Sequence, residues 1–130
     1  MARRRKPPPE LHELETDVMD VVWARGEETT VRQVMDELNA RSSTERAYTT
    51  FMTVMARLDA KGLLKRRRAG KADIYRAVLS REEYAAARAE AEVHALVAEF
   101  GDVALTSFAR QMASLDPERR RALQRLARKA

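Results

Sequence analysis

Apolar residues recur at helical spacing through residues 10–61 and then give way to two short strand-like runs around a glycine. That one change of period restricts the folds open to the chain more than any other feature. Leu11, Leu14, Val18, Val21 and Val22, followed by Gly26, predict an amphipathic helix over residues 10–25. Thr30-Val31-Arg32-Gln33 has the reciprocal N-terminal capping pattern, and Val31, Val34, Met35 and Leu38 supply the buried face of a second helix. A polar loop over residues 41–45 leads to a third helix from Ala47 to Lys61, with Phe51, Val54, Met55 and Leu58 as its core stripe. Gly62 stands where a left-handed cap falls. The runs Leu63–Arg68 and Ala72–Val78 flank Ala69-Gly70-Lys71 and predict a β-hairpin with a basic tip.

Beyond the hairpin the helical period returns. Ser80-Arg81-Glu82-Glu83 is a second capping box, opening a helix to about Phe100 whose stripe is Ala86, Ala89, Val93, Leu96, Val97 and Phe100. Gly101-Asp102 breaks it, Val103–Ala113 forms a further helix, and Asp116-Pro117-Glu118 starts a last one through Arg128. Helices of this kind cannot bury their apolar stripes alone. The expected fold is therefore mainly α with a small β-hairpin wing. Residues 1–9 form a disordered, basic, Pro-rich arm; residues 10–79 a winged helix-turn-helix domain; residues 80–130 a helical dimerisation region. The dimer contact is expected at Val93, Leu96, Val97, Phe100, Leu105, Phe108, Leu123 and Leu126.

The charge is polarised. The net charge of +5 conceals a stretch at residues 10–28 with a net of −6 and one at residues 41–76 with a net of +7. A segment that positive attracts a polyanion, and double-stranded DNA fits the fold. Opposite its core stripe the third helix presents Thr49, Met52, Thr53 and Ala56, flanked by Thr50 and Arg57. Threonine donates or accepts at a base edge and packs its methyl on thymine, and small side chains let a helix approach the groove floor. Thr49, Thr50, Met52 and Thr53 are thus the candidate base readers. Thr30, Arg32, Tyr48, Arg57, Arg66, Arg67, Arg68 and Lys71 are the candidate contacts to the DNA backbone. The arm Arg3–Lys6 has the composition to enter a minor groove, although disorder suits it better.

Other classes find little support. There is no cysteine, which removes disulfides, zinc ribbons, iron–sulfur clusters and thiol catalysis together. There is no apolar run of about 18 residues and no apolar segment after the basic start, so neither a membrane span nor a secretory signal is expected, and the cytoplasm is the expected location. His12 and His94 stand without convergent ligands, and the adjacent acids Glu27-Glu28, Asp36-Glu37 and Glu82-Glu83 diverge by about 100° on a helix. With four glycines and no phosphate loop or nucleophile elbow, neither an enzyme nor a cofactor is expected. A ligand-responsive winged-helix regulator is the main alternative; a non-specific architectural DNA binder suits the threonine face less well.

Residues 11–78 resemble the penicillinase-repressor and methicillin-resistance-repressor family of winged-helix transcriptional repressors. The resemblance rests on Leu14-Glu15-Thr16-Asp17-Val18-Met19 with Trp23, on Thr30-Val31-Arg32-Gln33-Val34, and above all on Ala47–Leu58 with Lys61-Gly62-Leu63. It implies a dimeric repressor that binds a palindromic operator and blocks a promoter. It also implies that the third helix enters the major groove, placing Thr49, Thr50, Thr53 and Arg57 at the DNA. In the penicillinase branch it implies a membrane-bound β-lactam sensor that triggers proteolysis of the C-terminal region, by position near Ser107-Phe108, where the residues depart from the family's pattern. The copper-responsive branch uses C-terminal cysteines as ligands, and this chain has none.

Overall fold

The computed structural model describes residues 7–129. The element order is α1 (Glu13–Arg25), β1 (Thr29–Thr30), α2 (Val31–Arg41), α3 (Tyr48–Ala60), β2 (Leu64–Ala69), β3 (Ala72–Ala77), α4 (Arg81–Phe100), α5 (Asp102–Ala113) and α6 (Pro117–Lys129). This is the expected winged-helix plan followed by three helices. Each early helix ends where local chemistry requires. His12 and Glu15 form a capping box that opens α1, and Gly26, at φ +67, closes it with its amide on the Val22 carbonyl. Thr30 and Gln33 cap α2 reciprocally.

The apolar stripes meet as their spacing predicts. Val18, Met19, Val21 and Val22 of α1, Val31 and Val34 of α2, and Phe51, Val54, Met55 and Leu58 of α3 form one core with Leu63, Leu64 and Tyr75 from the wing. The sheet adds a strand to the expected hairpin. Thr29 and Thr30 pair antiparallel with Tyr75 and Ile74, giving the order β1-β3-β2. Two residues are too few to carry a period, which is why periodicity does not announce this strand. Thr29 is buried there.

Two side-chain ties close the domain. Glu15 on α1 is buried, and both its oxygens accept from the Lys61 ammonium at 2.7 and 2.8 Å, just past the end of α3. The Trp23 indole donates to the Leu79 carbonyl at 2.9 Å, and Tyr84 of α4 packs on that ring. Tyr84 also donates to the Pro9 carbonyl at 2.7 Å, and Arg88 to the Pro8 carbonyl at 3.0 Å. The disorder expected over residues 1–9 therefore does not reach Pro8 and Pro9, whose carbonyls find donors on α4. The arm Arg3–Lys6 lies outside the described residues.

The chain separates into two compact units after Ala89, and within the first of them Tyr84 and Arg88 tie the first turns of α4 to Trp23, Pro9 and Pro8. In the second unit Ala104 is the one buried apolar side chain among the described residues. No helix among the described residues is long and apolar enough to cross a membrane.

Candidate nucleic-acid interface

The α3 helix turns one face inward and leaves the other bare. Phe51, Met55 and Leu58 are essentially inaccessible, whereas Tyr48, Thr49, Thr50, Met52, Thr53, Ala56 and Arg57 are all exposed. The four candidate base readers are thus together on one solvent face, and Arg57 stands a turn further on. The Thr53 hydroxyl donates to the Thr49 carbonyl at 3.0 Å, which fixes its rotamer and leaves its lone pairs and methyl group for contact with a partner. The α3 N-terminus has no side-chain cap, and of its first-turn N–H groups that of Thr50 turns back onto the Ala47 carbonyl at 3.0 Å.

The turn before α3 is fastened by a residue that the sequence pattern does not single out. The Asn39 amide donates to the Arg46 carbonyl and accepts from the Arg46 N–H, each at 3.0 Å, mimicking one rung of a sheet across the link from α2 to α3. Ser42 and Thr44 add a smaller turn inside it. An asparagine in the last turn of a helix before a polar loop is the only sequence signal for such a clasp. Asn39→Ala should lower stability by about 1 kcal/mol through the loss of two exposed hydrogen bonds. Urea denaturation checks this, and an unchanged midpoint would remove Asn39 from the devices that set the angle of α3.

The candidate backbone contacts divide by what already holds them. The Arg32 guanidinium lies 5.4 Å from the centre of the Tyr48 ring, so these two form a stacked, exposed pair between the starts of α2 and α3. Thr30 is committed to its cap: its hydroxyl accepts from the Gln33 amide and also donates to the Gln33 side chain. The wing cations do not form a single grip, because strand alternation sends neighbours to opposite faces. Arg66 and Arg68 share a face with buried Tyr75. Arg66 pairs across the ladder with Tyr75, and Arg68 lies 3.6 Å from the Asp73 carboxylate. Burial raises the Tyr75 phenol, and Arg66 acts in the opposite direction. Lys65 and Arg67 point to the other face, where Glu28 accepts from Arg67 through both carboxylate oxygens. That bond from Arg67 holds the Glu28 carboxyl below its ordinary range. Lys71 is exposed at the turn.

The residues expected at a dimer contact all lie in the second unit. Val93, Leu96, Phe100, Leu105 and Leu126 are exposed, with Leu126 at 64% of its full accessibility, and Val97, Phe108 and Leu123 are half-buried. Val103, at 72%, joins them without having been anticipated. Leu96, Phe100, Val103, Ala104, Ser107 and Phe108 line a shallow apolar groove of about 230 Å³. Among the described residues no cluster of His, Asp and Glu has metal-ligand geometry.

The profile of the family described as Penicillinase repressor matches residues 11–129. Two curated relatives, each named Transcriptional regulator BlaI and from two strains of Mycobacterium tuberculosis, are 46% identical over 76 residues, covering 58% of this chain. The matched region spans about half, 54%, of their length. A solution structure of the DNA binding domain of the repressor BlaI is similar with a TM-score of 0.51 and 26% identity, covering 62% of this chain and 94% of that one.

Proposed function

Because the chain belongs to the penicillinase repressor family, we propose that it is a DNA-binding transcriptional repressor acting in the cytoplasm as a homodimer on a palindromic operator. The observation that carries this reading is the exposed Thr49, Thr50, Met52 and Thr53 face of α3, fixed from behind by buried Phe51, Met55 and Leu58. A helix so placed reads base edges in a major groove, and two copies related by a twofold axis read an inverted repeat. With its hydroxyl proton turned to Thr49, Thr53 acts as an acceptor or through its methyl group. Arg32, Tyr48, Arg57 and Lys71 stand exposed to take phosphates, and Arg66, Arg67 and Arg68 reach the backbone only by exchanging their present partners. The bare apolar stripes of α4, α5 and α6 supply the dimer contact. Ser107 and Phe108 lie in the middle of α5, so proteolytic release at that point requires the helix to open first.

The test is selection of genomic fragments by the purified protein, followed by titration of the selected duplex. An inverted repeat shared by a short list of fragments is the expected outcome; motif-free recovery would overturn it in favour of sequence-independent binding. Thr50→Ala and Thr53→Ala should each cost about 1–3 kcal/mol on the selected duplex and little on random DNA. Equal losses on both would remove the threonine face from base reading.

A further inference from the structure

The outer face of the wing carries its own anion. Strand register places Arg67 opposite Ile74 and Lys65 opposite Arg76, so three cations share that face with Glu28, which immediately precedes β1. Arg67 gives Nε and Nη2 to the two oxygens of Glu28. Two parallel N–H donors onto two oxygens of a singly charged group is also how a guanidinium holds a DNA phosphate. The pair is open to water, with the side chains of Arg67 and Glu28 at 56% and 39% of full exposure. An ion pair so exposed is weak, so a phosphate arriving at the wing can displace the carboxylate. Lys71, by contrast, has no carboxylate partner among the described residues.

We propose that Glu28 is an internal competitor for DNA phosphate: its carboxylate occupies the phosphate-binding fork of Arg67, and so lowers the affinity of the wing for any DNA backbone. This rests on the reading of the wing as a contact to DNA backbone. The competition acts on a sequence-independent contact, so it weakens binding to random and specific DNA alike. It keeps the positive segment at residues 41–76 from clinging to bulk DNA. It also makes Glu28 a residue that sets DNA affinity without touching DNA.

The opposing possibility is that the pair is a staple, holding the wing against β1 in its working position. The two make opposite predictions for the isosteric Glu28→Gln, which removes the charge and keeps the shape. A random-sequence duplex is a sufficient probe, titrated with the full chain over a range of salt. Competition predicts that Glu28→Gln binds this duplex about threefold more tightly, the scale of the exposed pair that it releases. It also predicts that log affinity falls more steeply with log salt, by about one unit, as a further phosphate becomes contacted. In an Arg67→Ala background the same substitution should change affinity by less than about twofold, leaving only a general charge effect. Unchanged or weaker binding by Glu28→Gln would overturn the proposal, and a lowered thermal midpoint beside it would mark the pair as the staple. An equal gain with and without Arg67 would overturn it in favour of bulk charge. If the unaltered protein fails to bind the duplex, or binds without salt dependence, the reading of the wing as a DNA contact falls and the proposal falls with it.

Discussion

Leu96→Glu should convert the protein from dimer to monomer and reduce its affinity for an intact inverted repeat by about a hundredfold or more. An isolated domain covers its large apolar side chains, yet Leu96, Phe100, Val103, Leu105 and Leu126 are all at least 39% exposed, and Ala104 is the one buried apolar residue among the described residues of that unit. Leu96 lines the apolar groove with Phe100 and Phe108, where a carboxylate would be desolvated without a cation beside it. In the proposed homodimer each α3 helix would hold one half-site, and dimerisation would make binding of the second half-site an intramolecular event. Removing that link costs the effective concentration and alters no DNA contact. Light scattering reads the assembly, and titration against a whole repeat and a single half-site reads the coupling. The half-site affinity should stay within about twofold while the whole-repeat affinity collapses. A dimer that survives the substitution would place the interface elsewhere on the chain.

How much of this was legible in the sequence depends on the range over which each signal acts. The α1, α2 and α3 helices are visible because Val18, Val34, Phe51 and Leu58 recur at a period that the core enforces, and the Thr30–Gln33 and Ser80–Glu83 capping boxes are each written within four residues, whereas the sequence reading does not include the His12–Glu15 box that opens α1. The candidate base-reading face follows from the same period, since naming the buried stripe of α3 names its opposite. What the period does not carry is the pairing of charges. Ten basic residues over residues 41–76 read as one positive patch, but β2 alternates its faces, and Arg66, Arg67 and Arg68 each find a different partner. Glu28 and Arg67 are 39 positions apart, and only the register of the sheet brings them together. The Asn39 clasp and the binding of Pro8 and Pro9 to α4 are likewise products of tertiary placement. Tyr84 and Arg88 read as ordinary members of a helix until the residues opposite them are known.

The contact with the most to lose is the one that fixes α3 to the rest of the domain. Lys61→Met should destabilise the fold by about 3 kcal/mol at neutral pH, since it strands a buried carboxylate whose partner has been removed. Glu15 keeps only the His12 amide, which donates to it at 3.0 Å, and that one hydrogen bond cannot replace an ammonium bonded to both oxygens. The pH dependence distinguishes this cause from lost packing. Burial raises the Glu15 carboxyl, but the Lys61 and His12 hydrogen bonds and the Lys61 charge outweigh it, and the net result lies below the ordinary value of 4.5. A carboxyl whose folded value is depressed adds stability that is full above its unfolded range and disappears as pH falls through the folded value. The unaltered protein should therefore lose this contribution below about pH 4.5. In Lys61→Met burial is opposed only from the His12 side, so the carboxyl titrates higher than in the unaltered protein, and a protonated Glu15 no longer needs a cation. The stability difference between the two proteins should shrink towards zero as the solution is acidified through that range. Adding Glu15→Gln to Lys61→Met should recover most of the loss at neutral pH, because a neutral amide can keep the His12 bond without a buried charge. Urea denaturation of the three proteins across this range decides the matter. A gap independent of pH would show that Lys61 contributes the packing of its alkyl chain, and that charge does not hold α3 to α1.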